Sequence, residues 1–401
     1  MHRKLRHAEK WSSDLLNALS PILPLLIDEA VTEIEVFDYD HVRAKGKDWK
    51  GHRLCDGIAW SSPALLKTAC SSIAEVVKRC VYEEDPLFDG RLPGGERINI
   101  VVPPCTPSAP YITIRKFPTE PMTLDKLLSY GSIDADIAEI LKALIALKKN
   151  IIVAGGTESG KTSLLNALSL LVDPSEKIVT IEDARELQIQ SPIWQALETL
   201  KPWNATVKPV TISDLVKNSL RMSPDRIIVG EVRGEEALYL LRAFSTGHSG
   251  GLGTVHANSA ADALSQLQLL TSFAQTGGAS AYSIASLVAR AVDIVVFVRK
   301  IEDDNSRKVT QIIEIDRPQG ISAIGDAIKF LYRLITQFHI TGYGEINRNG
   351  FPVVLGHWEY PSCPSSSLKS SITARNMNPL SGACINWPVS SLESADEVLA
   401  Y

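Results

Sequence analysis

The chain is predicted to fold as an α/β protein, with a larger domain on a mainly parallel sheet and a smaller α+β domain ahead of it. Three observations carry this. The apolar run Ile151-Ile152-Val153-Ala154 leads into Gly155-Gly156-Thr157-Glu158-Ser159-Gly160-Lys161-Thr162 and then into Ser163-Leu164-Leu165-Asn166-Ala167-Leu168, which is the strand, glycine loop and helix order of a phosphate-binding loop. Short apolar or β-branched runs then alternate with helical segments up to residue 320. Ahead of the loop, residues 31–117 combine strand-like alternation with one amphipathic helix.

Composition sets limits on what these elements do. The 401 residues leave room for two domains and a tail, and 45% hydrophobic with 22% charged residues is ordinary for a globular protein. A formal net charge of −5 gives no global attraction to nucleic acid or anionic lipid. Cys55, Cys70, Cys80, Cys105, Cys363 and Cys384 form no CxxC or Cys/His cluster, which argues against zinc and a disulfide framework and fits a reducing cytoplasm. The basic start (Arg3, Lys4, Arg6, Lys10) followed by leucines mimics a secretory leader, but Asp14, Asn17, Pro21 and Pro24 interrupt it and Ile27-Asp28-Glu29-Ala30 offers no small-residue cleavage site. Leu15, Leu16, Leu19, Ile22, Leu23 and Leu26 recur at helical spacing, as the core face of a first helix. Nothing in the sequence is expected to span a bilayer.

The elements follow in order. Thr32-Glu33-Ile34-Glu35-Val36-Phe37 alternates within a strand expected over 31–43, and 64–82 has helical periodicity. Strands at 97–102 and 111–115 flank the turn at Pro103-Pro104 and complete an amino-terminal domain over 1–117. Residues 118–133 are read as a linker, because Pro118 and Pro121 discourage regular structure. An amphipathic helix over 134–149 opens the nucleotide domain, 134–320, whose strands are expected at 151–154, 177–182, 226–230, 253–256 and 293–299. Residues 321–401 form a C-terminal extension. Its 321–340 stretch reads as an amphipathic helix with Asp326, Lys329 and Arg333 among apolar residues, and 361–392, rich in Ser, Pro and Asn, reads as poorly ordered.

Hydrolysis of a nucleoside triphosphate needs a metal, a group that orients the attacking water, and a sensor of the γ-phosphate. Gly155, Gly156, Thr157, Glu158, Ser159, Gly160, Lys161, Thr162 and Ser163 are the candidate phosphate contacts, with Lys161 reaching the β/γ-oxygens and the Thr162 hydroxyl on Mg²⁺. Arg226-Ile227-Ile228-Val229-Gly230-Glu231 has the form of a strand that delivers Glu231 to the metal side. Ile178-Val179-Thr180-Ile181-Glu182-Asp183 is another strand ending in acids, with Glu186 one turn on; the choice between Glu182 and Glu186 as base stays open. His248 and His256 lie in the glycine-dense run 246–258, where backbone approaches a ligand closely. With no further Cys or His nearby, phosphate sensing suits these histidines better than zinc.

Four motifs now stand in order: GGTESGKT, TIEDARELQ, SPDRIIVGEVRGEEA and TGHSGGLGTVHANSA. Together they resemble the P-loop, Asp box, Walker B segment and His box of the type II/type IV secretion ATPases, the last three being most like the TrbB-type conjugal-transfer branch. The likeness covers residues 15–318, and GH…TVHANS is its discriminating element. Asp89-Gly90-Arg91-Leu92-Pro93-Gly94-Gly95-Glu96-Arg97 and Ile114-Arg115-Lys116 are similar to the family segment that faces nucleotide. The resemblance implies a RecA-like P-loop NTPase domain in a homo-oligomer, a hexameric ring, cytoplasmic and peripheral on the inner face of a bacterial inner membrane. ATP hydrolysis would drive pilus assembly or substrate translocation, with inner-membrane secretion or conjugation machinery as partner. The family pattern assigns the catalytic carboxylate to Glu186, the Walker B acid to Glu231 and the γ-phosphate sensor to His256, and has Arg97 and Arg115 reach the nucleotide from the first domain. Arg221 and Arg233, flanking Walker B, are read either as contacts to nucleotide or a neighbour or as structural ion pairs.

Two departures bear on this reading. Glu158 stands where the family usually has glycine, so a left-handed backbone there costs on the order of 1 kcal/mol and its carboxylate repels phosphate; weaker nucleotide affinity is expected. The tail after Gly320 matches no family segment. A type II secretion or type IV pilus assembly or retraction ATPase is the alternative of the same chemistry. A nucleic-acid motor would want a basic channel with interleaved aromatics, yet aromatics are 6% and Lys and Arg are not clustered beyond the start, so no sequence-specific nucleic-acid contact is expected. A nucleotide-gated scaffold with weak hydrolysis is the third reading.

Overall fold

The structure, a computed structural model, describes residues 5, 7–47, 49, 51–77, 86–118, 120–200, 206–274 and 278–315 and the strands at 321–324, 327–330, 332–346 and 352–359. The chain divides into two units. One is chiefly Met1–Glu120 with Leu200–Pro209; the other is Pro121–Thr199 with Val210–Asn347 and the strand that follows.

In the first unit the leucine-rich start is not one helix, as expected, but α1 (Ser13–Ala18) and α2 (Leu23–Ile27) joined by a 3-10 turn at Ser20–Ile22. Pro21 and Pro24 are the cause, since proline is tolerated only in a helix's first turn and so restarts the element each time. Leu15, Leu19, Ile22, Leu23 and Leu26 are still all buried. The expected strand over 31–43 is a hairpin of β1 (Val31–Asp38) and β2 (His41–Gly46), because the chain turns at Tyr39 and Asp40. With β3 (His52–Leu54), β4 (Leu87–Arg91), β5 (Arg97–Val101) and β6 (Tyr111–Arg115) they form an antiparallel sheet in the order β3-β2-β1-β6-β5-β4. Ile34, Val36, Ile98, Ile100, Ile112 and Ile114 alternate onto one face and pack with Leu66 and Ile73 of α3 (Pro63–Val76) and with α1 in a single core. The Trp60 indole donates to the Ala18 carbonyl at 2.9 Å and ties the end of α1 to the loop before α3.

The second unit begins with a helix where a linker was expected. Thr123 caps α4 (Leu124–Ser129), and burial of Leu124 and Leu127 in the core outweighs the prolines before it. The Asp134 carboxylate accepts from the Ile137 N–H at 2.8 Å and starts α5 (Ala135–Ala146). There follow β7 (Ile151–Gly155), α6 (Lys161–Ser169), β8 (Ile178–Glu182), β9 (Trp194–Glu198), α7 (Ile212–Ser219), β10 (Arg226–Val232), α8 (Glu236–Ser245), β11 (Leu252–His256), α9 (Ala260–Phe273), α10 (Ala281–Ala291), β12 (Ile294–Lys300) and β13 (Arg307–Ile315).

Six parallel strands, β12-β7-β11-β10-β8-β9, make up the sheet that positions the site. Its two faces are legible in β7: Ile151 and Val153 pack with α4, α5 and α6, whereas Ile152 and Ala154 pack with α8 and α9. Beyond β12 the sheet turns antiparallel through β13, β16 (Tyr332–Ile346) and β17 (Pro352–Glu359), with a separate hairpin of β14 (Ile321–Ile324) and β15 (Ala327–Phe330). The sheet is therefore mixed, and the helix expected over 321–340 is strand. The charges there fit a helical spacing, but β14 and β15 pair with each other and the start of β16 pairs with the open edge of β13, where Ile313 lies opposite Leu334. Residues 361–392, read as poorly ordered, lie outside the described residues. Among the described residues no helix is long and apolar enough to cross a membrane.

Candidate functional site

The parallel register places the carboxyl ends of β7, β11 and β10 side by side, with His256 directly opposite Gly155. The loop between β7 and α6 fits only glycine at two points. A Cβ on Gly155 would meet the Val298 carbonyl oxygen at 2.2 Å, and Gly160 caps α6 at φ 97°, the left-handed region that glycine enters freely. Lys161 opens α6 and is buried, its ammonium donating to the carbonyls of Gly155 (3.0 Å) and Gly156 (2.6 Å). Thr162 and Ser163 follow in the first helical turn, both half-buried.

From Lys161 a run of titratable groups crosses the strand ends. Its Nζ lies 3.5 Å from His256 Nδ1, His256 Nε2 lies 2.7 Å from Glu231 Oε1, and the other Glu231 oxygen accepts from Arg233. Burial lowers the Lys161 pKa, Glu231 opposing the shift and Arg233 adding to it. Burial also lowers the pKa of His256, with the Lys161 charge acting the same way and Glu231 the opposite way. The hydrogen bond to Glu231 raises that of Arg233, and Asp183 and Glu186 act in the same sense, so both acids face this guanidinium.

Glu182, left open against Glu186 as a base, is buried at 3% exposure, and its Oε1 accepts from the backbone N–H of Glu186 (2.8 Å) and of Leu187 (2.9 Å). It shapes the turn that carries the half-buried Glu186. Asp183 accepts from Thr199 Oγ1 at 2.8 Å. Of the sequence-predicted residues, Lys161, Glu231 and His256 are brought together with the glycine loop.

Arg97 and Arg115 belong to the first unit, where they are cross-strand partners on β5 and β6, and Arg91 on β4 pairs in register with Arg97. The same row continues onto β1, where Glu33 stands in register with Arg115, so the three arginines end against a carboxylate. Arg91 carries no role of its own in the sequence, although it lies in the segment 89–97 read as similar to the family segment that faces nucleotide. Nor do Lys300 and Arg307, which border the glycine loop: Lys300 Nζ is 3.7 Å from Glu158 Oε2, and Arg307 Nε donates to the Glu158 carbonyl at 3.2 Å.

Residues 42–333 match the family model described as type II/IV secretion system protein. The chain belongs to that family. It is 33% identical over 259 residues to the conjugal transfer protein TrbB of Rhizobium radiobacter, a match covering 64% of this chain and 76% of TrbB. It is 36% identical over 282 residues to the type IV secretion system protein PtlH of Bordetella pertussis, covering 64% of this chain and 82% of PtlH. An uncharacterized protein of Methanocaldococcus jannaschii is 41% identical over 208 residues; there the match spans half of this chain and only 29% of the relative. Among solved structures, the Legionella pneumophila ATPase DotB superposes with a TM-score of 0.53 at 20% identity, over 75% of this chain and 80% of DotB, which is a likeness of fold. These findings agree with the resemblance read from the motifs: a member of the secretion ATPases, similar to TrbB.

Proposed function

We propose that the protein hydrolyses Mg-ATP in a RecA-like P-loop domain spanning residues 134–320 and that, as a hexamer peripheral to a bacterial inner membrane, it powers type IV secretion or conjugal transfer. The observation that carries this is the run from Lys161 through His256 and Glu231 to Arg233 beside the glycine loop. It joins a phosphate-reaching cation, a histidine able to report on that cation, and a carboxylate, all at the ends of adjacent strands. Lys161, now held on the carbonyls of Gly155 and Gly156, would exchange them for β- and γ-phosphate oxygens, its charge favoured again by the incoming anion.

The donors fit magnesium, since the Thr162 hydroxyl and the Glu231 carboxylate are hard oxygen ligands suited to a cation that keeps its phosphate and water partners. Bound magnesium would neutralise charge on the phosphate oxygens. Glu186 is the residue we assign to orient and deprotonate the attacking water, because Glu182 is already committed to the backbone turn. His256 would sense the γ-phosphate through its contact with Lys161. Arg97 and Arg115, with Arg91 beside them, would add positive charge to the nucleotide, as the family pattern implies. Conjugation or secretion machinery at the inner membrane is the proposed partner, in line with what TrbB and PtlH are named for.

The test is a pair of variants assayed for binding and turnover separately. Glu186→Gln and Glu231→Gln are each expected to keep Mg-ATP affinity within about threefold and to lose on the order of 100-fold in kcat. Full turnover in either variant would remove that residue from its role.

A further inference from the structure

Glu158 sits in the glycine loop at φ 56°, a left-handed backbone that disfavours any residue with a Cβ, and brings a carboxylate to a loop read as phosphate-binding. Two side chains of the β12–β13 hairpin engage it. Lys300, the last residue of β12, holds Nζ 3.7 Å from Glu158 Oε2, with the two side chains 25% and 28% exposed. Arg307, the first residue of β13, donates Nε to the Glu158 carbonyl at 3.2 Å and Nη1 to the Asn305 carbonyl at 3.0 Å. Its methylene carbons also lie 3.6–4.0 Å from where a Cβ on Gly160 would stand, so its stem covers the far end of the same loop. One hairpin thus neutralises the carboxylate and braces the carbonyl of one strained residue.

We propose that Lys300 and Arg307 are positioning residues that let a glycine loop carrying Glu158 accept a nucleotide polyphosphate. Lys300 pairs with the Glu158 carboxylate, and the field of an ion pair falls off faster with distance than that of a single charge, while half-burial keeps solvent from screening either state fully. Arg307 fixes the carbonyl of the left-handed residue, so the loop's N–H groups stay aimed for phosphate without glycine's freedom at this position. Either role disappears if residue 158 is glycine, which has no carboxylate to mask and takes φ 56° without strain. The inference rests on the reading that this loop binds nucleotide.

The experiment is calorimetric binding of Mg-ADP to the full chain, with the thermal midpoint recorded for each variant. Lys300→Met and Arg307→Met are each expected to weaken binding about tenfold, the Lys300→Met loss shrinking in high salt. Lys300→Arg should stay within about twofold of wild type, because it keeps the counter-charge. Adding Glu158→Gly to either methionine variant should restore affinity to within about twofold of wild type. A variant weakened by general misfolding would not be rescued in this way. The inference is overturned if wild type binds Mg-ADP and both single variants bind it equally well, or if Glu158→Gly fails to rescue them. Wild type that binds no Mg-ADP at all overturns the nucleotide reading itself and this inference with it.

Discussion

The charges of Lys161 and Glu231 act in opposite senses on His256. Burial and the Lys161 charge disfavour the imidazolium of His256 while Glu231 favours it, and the balance falls below the usual histidine value. Lys161→Met should therefore raise the His256 midpoint and Glu231→Gln should lower it, as read by histidine NMR titration; a midpoint that moves in neither variant contradicts the contact. Because the folded value lies below the unfolded value, 6.5, the contribution of His256 to stability is present above that value and is lost as pH falls through the folded one. Gly155 makes a purely steric claim. Gly155→Ala drives a Cβ against the Val298 carbonyl and should cost about 2–4 kcal/mol in urea denaturation. At this scale the sequence names Lys161, Glu231 and His256 one by one, since each lies in its own motif. Their joining is illegible, because the Lys161–His256 contact spans 95 residues and depends on strand order.

At the scale of elements, two buried groups hold the sheet's ends. Arg226, at 1% exposure, pairs with Glu176 through contacts of 3.0 Å and donates to the Ile145 carbonyl at 2.9 Å, tying the start of β10 to the end of α5. Arg226→Ala leaves Glu176 paired with Lys148 alone, 2.8 Å away, and leaves the Ile145 carbonyl without this donor, and should cost about 1–3 kcal/mol, measured by chemical denaturation. Glu182 does the corresponding work at the other end of the strands. Glu182→Ala should release the turn at Glu186 and Leu187, lowering kcat with a loss of about 1–3 kcal/mol in stability. The central strands were legible because each is a short apolar run bounded by polar turns. The antiparallel extension was not. Ile321, Ile324, Ile328 and Leu334 suit either period, and only strand pairing decides: β14 with β15 in their own hairpin, and Leu334 with β13, itself unread in the sequence. Trp194, which donates to Thr180 at 3.0 Å, likewise marks β9 only once β8 lies beside it.

At the scale of the whole molecule, the four ordered motifs pointed to the family that the match over residues 42–333 establishes. The fold class was legible from the same text, because a glycine loop between an apolar run and a helix admits few alternatives. The proposed assembly was reached through the resemblance alone, since neither a net charge of −5 nor the hydropathy specifies how copies associate. The most direct test of the proposed activity is Mg-ATP hydrolysis by the wild-type protein beside Lys161→Ala, with light scattering on the same samples. Turnover that disappears with Lys161 and a nucleotide-promoted hexamer are the expected results. A wild-type protein that neither hydrolyses Mg-ATP nor associates, or one whose turnover survives Lys161→Ala, would contradict it.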